Sequence, residues 1–138
     1  MRVIVCLDDN GGMFFNYRRQ SRDRVLCADA VAMAQGTRLL MSSYSQPLFA
    51  QDVPNIVVAN DFLDIAQEDD YCFVEDRALS DYAEKISEIV IYRWNKHYPA
   101  DTYFDLSLDK LSFRLCEKYE FEGSSHEKIT KEIYRNDI

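Results

Sequence analysis

The chain has 138 residues, 47% of them hydrophobic and 29% charged, and a net charge of −8. That length suits a single domain, expected to span residues 1–138, whose core needs neither disulfide nor metal. The acidic balance excludes non-specific binding of nucleic acid through the whole surface, and no apolar run approaches the ~20 residues needed to cross a bilayer.

Arg2 to Leu7 is a short run rich in Val and Ile, the pattern of a strand buried on both faces. Its apolar stretch is too short for a signal peptide, so a cytoplasmic protein is expected. Asp8-Asp9-Asn10-Gly11-Gly12 ends the strand with turn chemistry. An aromatic and basic stretch, Met13 to Gln20, follows without a clear period. Ser21 reads as the N-cap of a helix, with Asp23 in its first turn, and Gly36 as the residue that ends it.

Short strands are expected at Thr37 to Met41, Asn55 to Ala59, Tyr71 to Val74 and Glu88 to Trp94. Brief helices are expected after Ser42, over Asp61 to Gln67, and over Leu79 to Ser87. Asn95 to Asp109 reads as a loop. Leu111 to Phe121 alternates like a half-buried strand, Glu122 to His126 reads as a turn, and Glu127 to Arg135 returns as a second strand. Strands separated by helices imply a mostly parallel central sheet inside a three-layer α/β/α sandwich, extended by a C-terminal antiparallel hairpin.

This order of elements resembles dihydrofolate reductase. Val3 to Leu7 followed by Gly12-Met13 is similar to that family's first strand and active-site loop, and Asp23 falls where the family keeps its acidic active-site residue. Leu39-Leu40-Met41-Ser42-Ser43 is similar to the strand ending in Met-Gly-Arg, and Asp101-Thr102-Tyr103-Phe104 to the Asp-Thr-x-Phe segment. The resemblance also shows what is missing. Glu75 and Asp76 stand where the family's Gly-Gly pair lets backbone approach the cofactor, and Ser43 stands where a basic residue meets the cofactor's phosphate. A run of about 20 residues after the third strand, which helps the family cradle the adenosine half, is absent. Cys27, Val53 and Tyr92 replace the substrate-facing aromatic, arginine and small hydroxyl. A reductase without its hydride donor does no reduction, so no cofactor is expected.

Four of the sixteen basic residues lie within the seven positions from Arg18 to Arg24, at a helix start where free N–H groups favour an anion. Arg18, Arg19, Ser21 and Arg22 are therefore candidates for holding an anionic ligand or nucleotide, with Ser42, Ser43 and Tyr92 lining the same cleft. The competing reading pairs these arginines with Asp8, Asp9, Asp23 or Asp29, at the surface or across a homo-oligomer contact. Asp23 is the candidate proton donor, provided an apolar cleft raises its pKa. Ser124-Ser125-His126 offers hydroxyls and an imidazole, but lies in a turn where neighbours do not converge.

The chain also resembles short bacterial sequences grouped with zinc-dependent ribonucleases. That chemistry needs an H-x-H-x-D-H cluster, and the only histidines are His97 and His126. Four cysteines, 21, 45 and 44 residues apart, form no C-x-x-C pair and read as free buried thiols. The expected function is non-catalytic: ligand binding or interaction on a dihydrofolate reductase-like scaffold, with a small anionic ligand or nucleotide as partner. The rival expectations are a divergent NADPH-dependent reductase, and a hydrolase of phosphoesters or RNA using Asp23 with Asp8 or Asp9.

Overall fold

The first strand sits at the centre because its alternate side chains find apolar cover on opposite faces. In the computed structural model, residues 1–136 are described; residues 137–138 of the expected span lie outside them. The elements in chain order are β1 (Arg2–Leu7), β2 (Gly12–Phe15), β3 (Arg18–Arg19), α1 (Arg24–Met33), β4 (Leu39–Met41), β5 (Ile56–Val58), α2 (Phe62–Ile65), β6 (Tyr71–Phe73), β7 (Glu88–Arg93), β8 (Thr102–Tyr103), β9 (Phe113–Phe121) and β10 (Ile129–Asn136). Single 3-10 segments occur at Gln46–Leu48 and Ser80–Lys85.

Seven strands form one sheet in the order β5-β4-β6-β1-β7-β10-β9. The first five are parallel, and β10 and β9 are antiparallel to their neighbours. The mostly parallel α/β sheet with a closing antiparallel hairpin therefore stands. Val3, Val5 and Leu7 pack on one face with Phe62 and Leu63 of α2 and with Leu79 and Ile86, which flank the second 3-10 segment. Ile4 packs on the other face with Leu26, Cys27 and Ala30 of α1. Helical elements cover both faces, so the central strands are apolar almost throughout.

Several boundaries differ from the sequence expectation. Asp23, not Ser21, caps α1: its extended backbone (φ −154°) leaves its carboxylate to accept from the N–H groups of Val25 and Leu26. Gly36 lies just beyond the helix end with φ +87°, where a side chain would be strained. The segment Ser80–Lys85 is 3-10, its entry fixed by Asp105, whose carboxylate accepts from Leu79 N and Ser80 N. β9 is not half-buried: it is the sheet's open edge, and apart from Phe113 its residues are exposed or intermediate. The burial falls on β10 instead, from Ile129 to Ile133. Cys116, on β9, is correspondingly exposed, although Cys27 and Cys72 are buried; all four thiols are free.

The aromatic-basic stretch and the loop after β7 contain a second sheet, ordered β3-β2-β8. β2 and β3 form a hairpin with Asn16 and Tyr17 both at positive φ (50° and 62°), as a two-residue turn of this kind demands. Strands of two to four residues carry too little sequence to show a period.

Candidate functional site

The end of β1, the β2–β3 arm, the start of α1 and the β9–β10 turn meet at the end of the sheet where β1, β6 and β7 finish. Asp8 ties the arm down. Its buried carboxylate accepts from Asn10 N, Gly12 N, Gln20 Nε2 and Tyr98 N. Burial disfavours its charge, but the bonds from Gly12, Asn10, Gln20 and Tyr98 together outweigh that and hold it below the usual carboxylate range. Gly12 is confined as well: a Cβ there would lie 2.5 Å from Ala100 Cβ and 2.9 Å from Asp8 Oδ2.

Asp23 is more heavily engaged. Beyond capping α1, it accepts from Ser124 N (3.0 Å), Ser125 N (2.8 Å) and His126 Nδ1 (2.9 Å). Gly123 lets the turn come this close, since a Cβ there would overlap Asp23 Oδ2 and stand 2.8 Å from its Cγ. Desolvation pushes the Asp23 carboxyl up, yet the bonds from His126, Ser125, Ser124 and Leu26 outweigh it and hold the group well below its ordinary value. That is the opposite of the raised pKa a proton donor requires. Asp8 and Asp23 have their acceptor capacity committed to these donors, so a hydrolase built on the two carboxylates is not supported.

The ring of His126 is fixed from three sides. Trp94 stacks on it with centroids 4.5 Å apart, and Nδ1 faces Asp23. Nε2 lies 2.9 Å from Ser21 Oγ and 3.3 Å from Tyr98 Oη. An ionised carboxylate only accepts, so Nδ1 carries the proton in that bond, and an Nε2 that carries none accepts from Ser21. Asp23, His126 and Ser21 thus form a continuous chain, its first two members 3% and 6% exposed.

The arginines divide. Arg19 is committed: its guanidinium makes two bonds to Glu75, at 2.8 and 3.1 Å, donates to Tyr44 O, and lies over the Tyr44 ring. Ser45 Oγ donates to the same Glu75 carboxylate. Arg18 and Arg22 are exposed. The N–H groups expected to favour an anion are already used, since Val25 and Leu26 donate to Asp23, and Arg24 to Ser124 Oγ. None of the four acids expected to pair with Arg19 does so; the partner is Glu75.

A small cavity of about 20 Å³ is lined by this pair together with Cys6, Ser21, Leu26, Cys27, Phe73 and Trp94. That is room for roughly one water. Burial pushes the Cys27 thiol up to about 11, and the Cys6 thiol upward as well, so neither is a reactive thiolate near neutrality. Ser42, Ser43 and Tyr92 do not line this cavity. Ser42 is buried, Ser43 points into solvent, and Tyr92 is fully buried with its hydroxyl on Asp29. Trp94, two residues along the chain from Tyr92, lines the cavity and stacks on His126. Among the described residues, no three His, Cys, Asp or Glu side chains are grouped to hold a metal, and no helix is long and apolar enough to cross a membrane.

No family model matches the chain, and no curated protein is detectably similar to it. The site rests on its own geometry. Trp94, Tyr98 and Gly123 are the members that reading the sequence misses, and His126, which it sets beside Ser124 and Ser125, is joined instead to Asp23 and Ser21. The only local signal is that Ser21-x-Asp23 and Ser124-Ser125-His126 are two small polar islands beside turns.

Proposed function

We propose that this chain is a dihydrofolate reductase-like scaffold without hydride-transfer chemistry, working as a small ligand-binding or interaction protein. The single observation behind this reading is the Arg19–Glu75 ion pair, closing a cavity of only about 20 Å³ beside Asp23. Glu75 follows the strand after which the family keeps its glycine pair, so a carboxylate and a guanidinium stand where a nicotinamide and a pterin would lie. The central position of β1 and the closing antiparallel hairpin are in keeping with the same scaffold.

The ligand we propose is small and anionic, a nucleotide included, held at the rim by Arg18 and Arg22, which keep their guanidinium groups in solvent. For a homo-oligomer, the open edge of β9, with exposed Leu115 and Tyr119, is the surface a second copy would meet. The test is thermal unfolding with NADPH, dihydrofolate, nucleotides and inorganic phosphate. A ligand at 100 times its Kd adds about 2.7 kcal/mol to stability. Protection by nucleotides or phosphate, lost in Arg22→Ala, is the expected result. Protection by NADPH or dihydrofolate would overturn the reading.

A further inference from the structure

Asp23 already satisfies its capping and turn-tying duties through backbone donors, so the last link of the chain, His126 Nε2 to Ser21 Oγ, needs another explanation. Ser21 is only partly buried, and water would satisfy its hydroxyl as well as an imidazole does. Instead a ring clamped by Trp94 and oriented by a carboxylate presents its basic nitrogen 2.9 Å from that hydroxyl. Such a constellation is recognised by geometry and roles rather than by sequence order, and both distances fall within the 2.6–3.2 Å (roughly) that an activated nucleophile and its base require.

We propose that Ser21 is a nucleophile, with His126 as its general base and Asp23 as the residue that positions the imidazole, and that it takes a small acyl group from a carboxylic ester. This goes beyond the binding reading, which assigns the cleft no bond-making step. Ser21 Oγ attacks the ester carbonyl while its proton passes to His126 Nε2. The bond to the leaving alcohol breaks, and the alcohol oxygen takes the proton from Nε2. Water then attacks the acyl-serine and gives a proton to Nε2. The carboxylic acid departs as that proton returns to Ser21 Oγ. Arg22, next in the chain and at the same opening, supplies positive charge near the developing oxyanion.

Tyr98 Oη, 3.3 Å from Nε2, is the other group facing the basic nitrogen. Its longer distance makes it the weaker donor, and it caps the ring from the side away from Asp23. The acyl class follows from size. The cavity next to Ser21 holds about one water and is lined by Cys6, Leu26, Cys27 and Phe73. A methyl group takes that place and a long chain does not, because the paired Arg19 and Glu75 line it as well. Acetyl esters are the substrates this allows.

The experiment uses the full chain carrying Cys116→Ser, so that the exposed thiol cannot react, with p-nitrophenyl acetate, p-nitrophenyl hexanoate and a fluorophosphonate as probes. The expected result is release of p-nitrophenol from the acetate, faster than from the hexanoate, with one acetyl or phosphonyl group found on Ser21 by mass spectrometry. Ser21→Ala, which gives up one side-chain hydrogen bond and no packing, loses the adduct and the rate while its unfolding temperature is kept. His126→Gln lowers the rate at least ~100-fold, the size of general-base assistance. Adduct and rate unchanged in Ser21→Ala would overturn the proposal, as would a folded protein that takes no label from either reagent. A preference for hexanoate would overturn the acyl class. The binding reading stands or falls separately, on protection by NADPH, dihydrofolate and nucleotides.

Discussion

Asp23 Oδ2 and His126 Nδ1 lie 2.9 Å apart although 103 residues separate them in the chain. One carboxylate thereby joins the start of α1 to the turn between β9 and β10. It accepts five hydrogen bonds, four of them from backbone N–H groups.

Asp23→Asn should be costly. The amide nitrogen brings donors to a place already crowded with donors, and backbone N–H groups on both elements lose their acceptor. A loss of about 2–4 kcal/mol is expected, from the usual cost of a removed cap plus buried unsatisfied donors. Urea denaturation followed by far-UV circular dichroism measures it. A change below about 1 kcal/mol would show the staple to be minor.

Acid should loosen the fold in a defined direction. The carboxyls of Asp8, Asp23 and Asp70 are all held below their ordinary values, the last chiefly by Arg38. A depressed native pKa means that the unfolded chain binds more protons once pH falls below about 4–5. The stabilisation is therefore complete above the unfolded value near ~3.9 and is lost as pH falls through the native values. Urea midpoints from pH 7 downward should stay level and then drop in that acid range. Asp23→Asn should flatten the drop; an equal slope in the variant would remove Asp23 from the account.

Gly123→Ala and Gly11→Ala should differ. The first puts a methyl group into the Asp23 carboxylate and against Ile129, so the turn has to move; about 2 kcal/mol or more is expected. Nothing lies within 4 Å of a Cβ at Gly11, whose φ of +77° leaves only backbone strain of about 1 kcal/mol. Thermal unfolding of the two variants side by side tests the ranking.

Removing one partner of the Arg19–Glu75 pair should be worse than removing both. Arg19→Met leaves a carboxylate that is 9% exposed with its Ser45 hydrogen bond but without its paired guanidinium, and about 3 kcal/mol is expected. The double variant with Glu75→Leu should recover most of that loss. A double-mutant cycle read by urea midpoint gives the coupling, and strictly additive losses would mean the pair is not a unit.

Tyr17→Gly should stabilise the protein. Tyr17 is 87% exposed and holds φ +62°, so its ring contributes little packing while its Cβ strains the turn. A gain of about 1 kcal/mol in unfolding free energy is expected. A loss would point to a contact made by the ring.

The parallel strands were legible because burial on both faces writes an unbroken apolar run, as in Val3-Ile4-Val5 and Ile89-Val90-Ile91. The hairpin was legible from its turn, although its alternation suggested burial for β9 that only β10 has. The arm was not, since its strands hold by backbone pairing and by Asp8 rather than by a periodic apolar face. In the site, Asp23 stood out by its place at the helix start and the arginines by their density. Their partners did not, because Arg19 meets Glu75 across 56 residues and Ser21 meets His126 across 105. Spacing along a chain carries no record of such meetings.

The latch between Gly123, Asp23 and His126 also sets a schedule for synthesis. A ribosome delivers α1 and the five parallel strands well before the β9–β10 turn emerges, so the nascent helix first stands with three of its carboxylate's five partners still to come. Ser21 meets its imidazole only once the chain has been made as far as His126. A stop between β7 and the turn would release a sheet with β7 as a bare edge and the bond between Asp23 and His126 unmade.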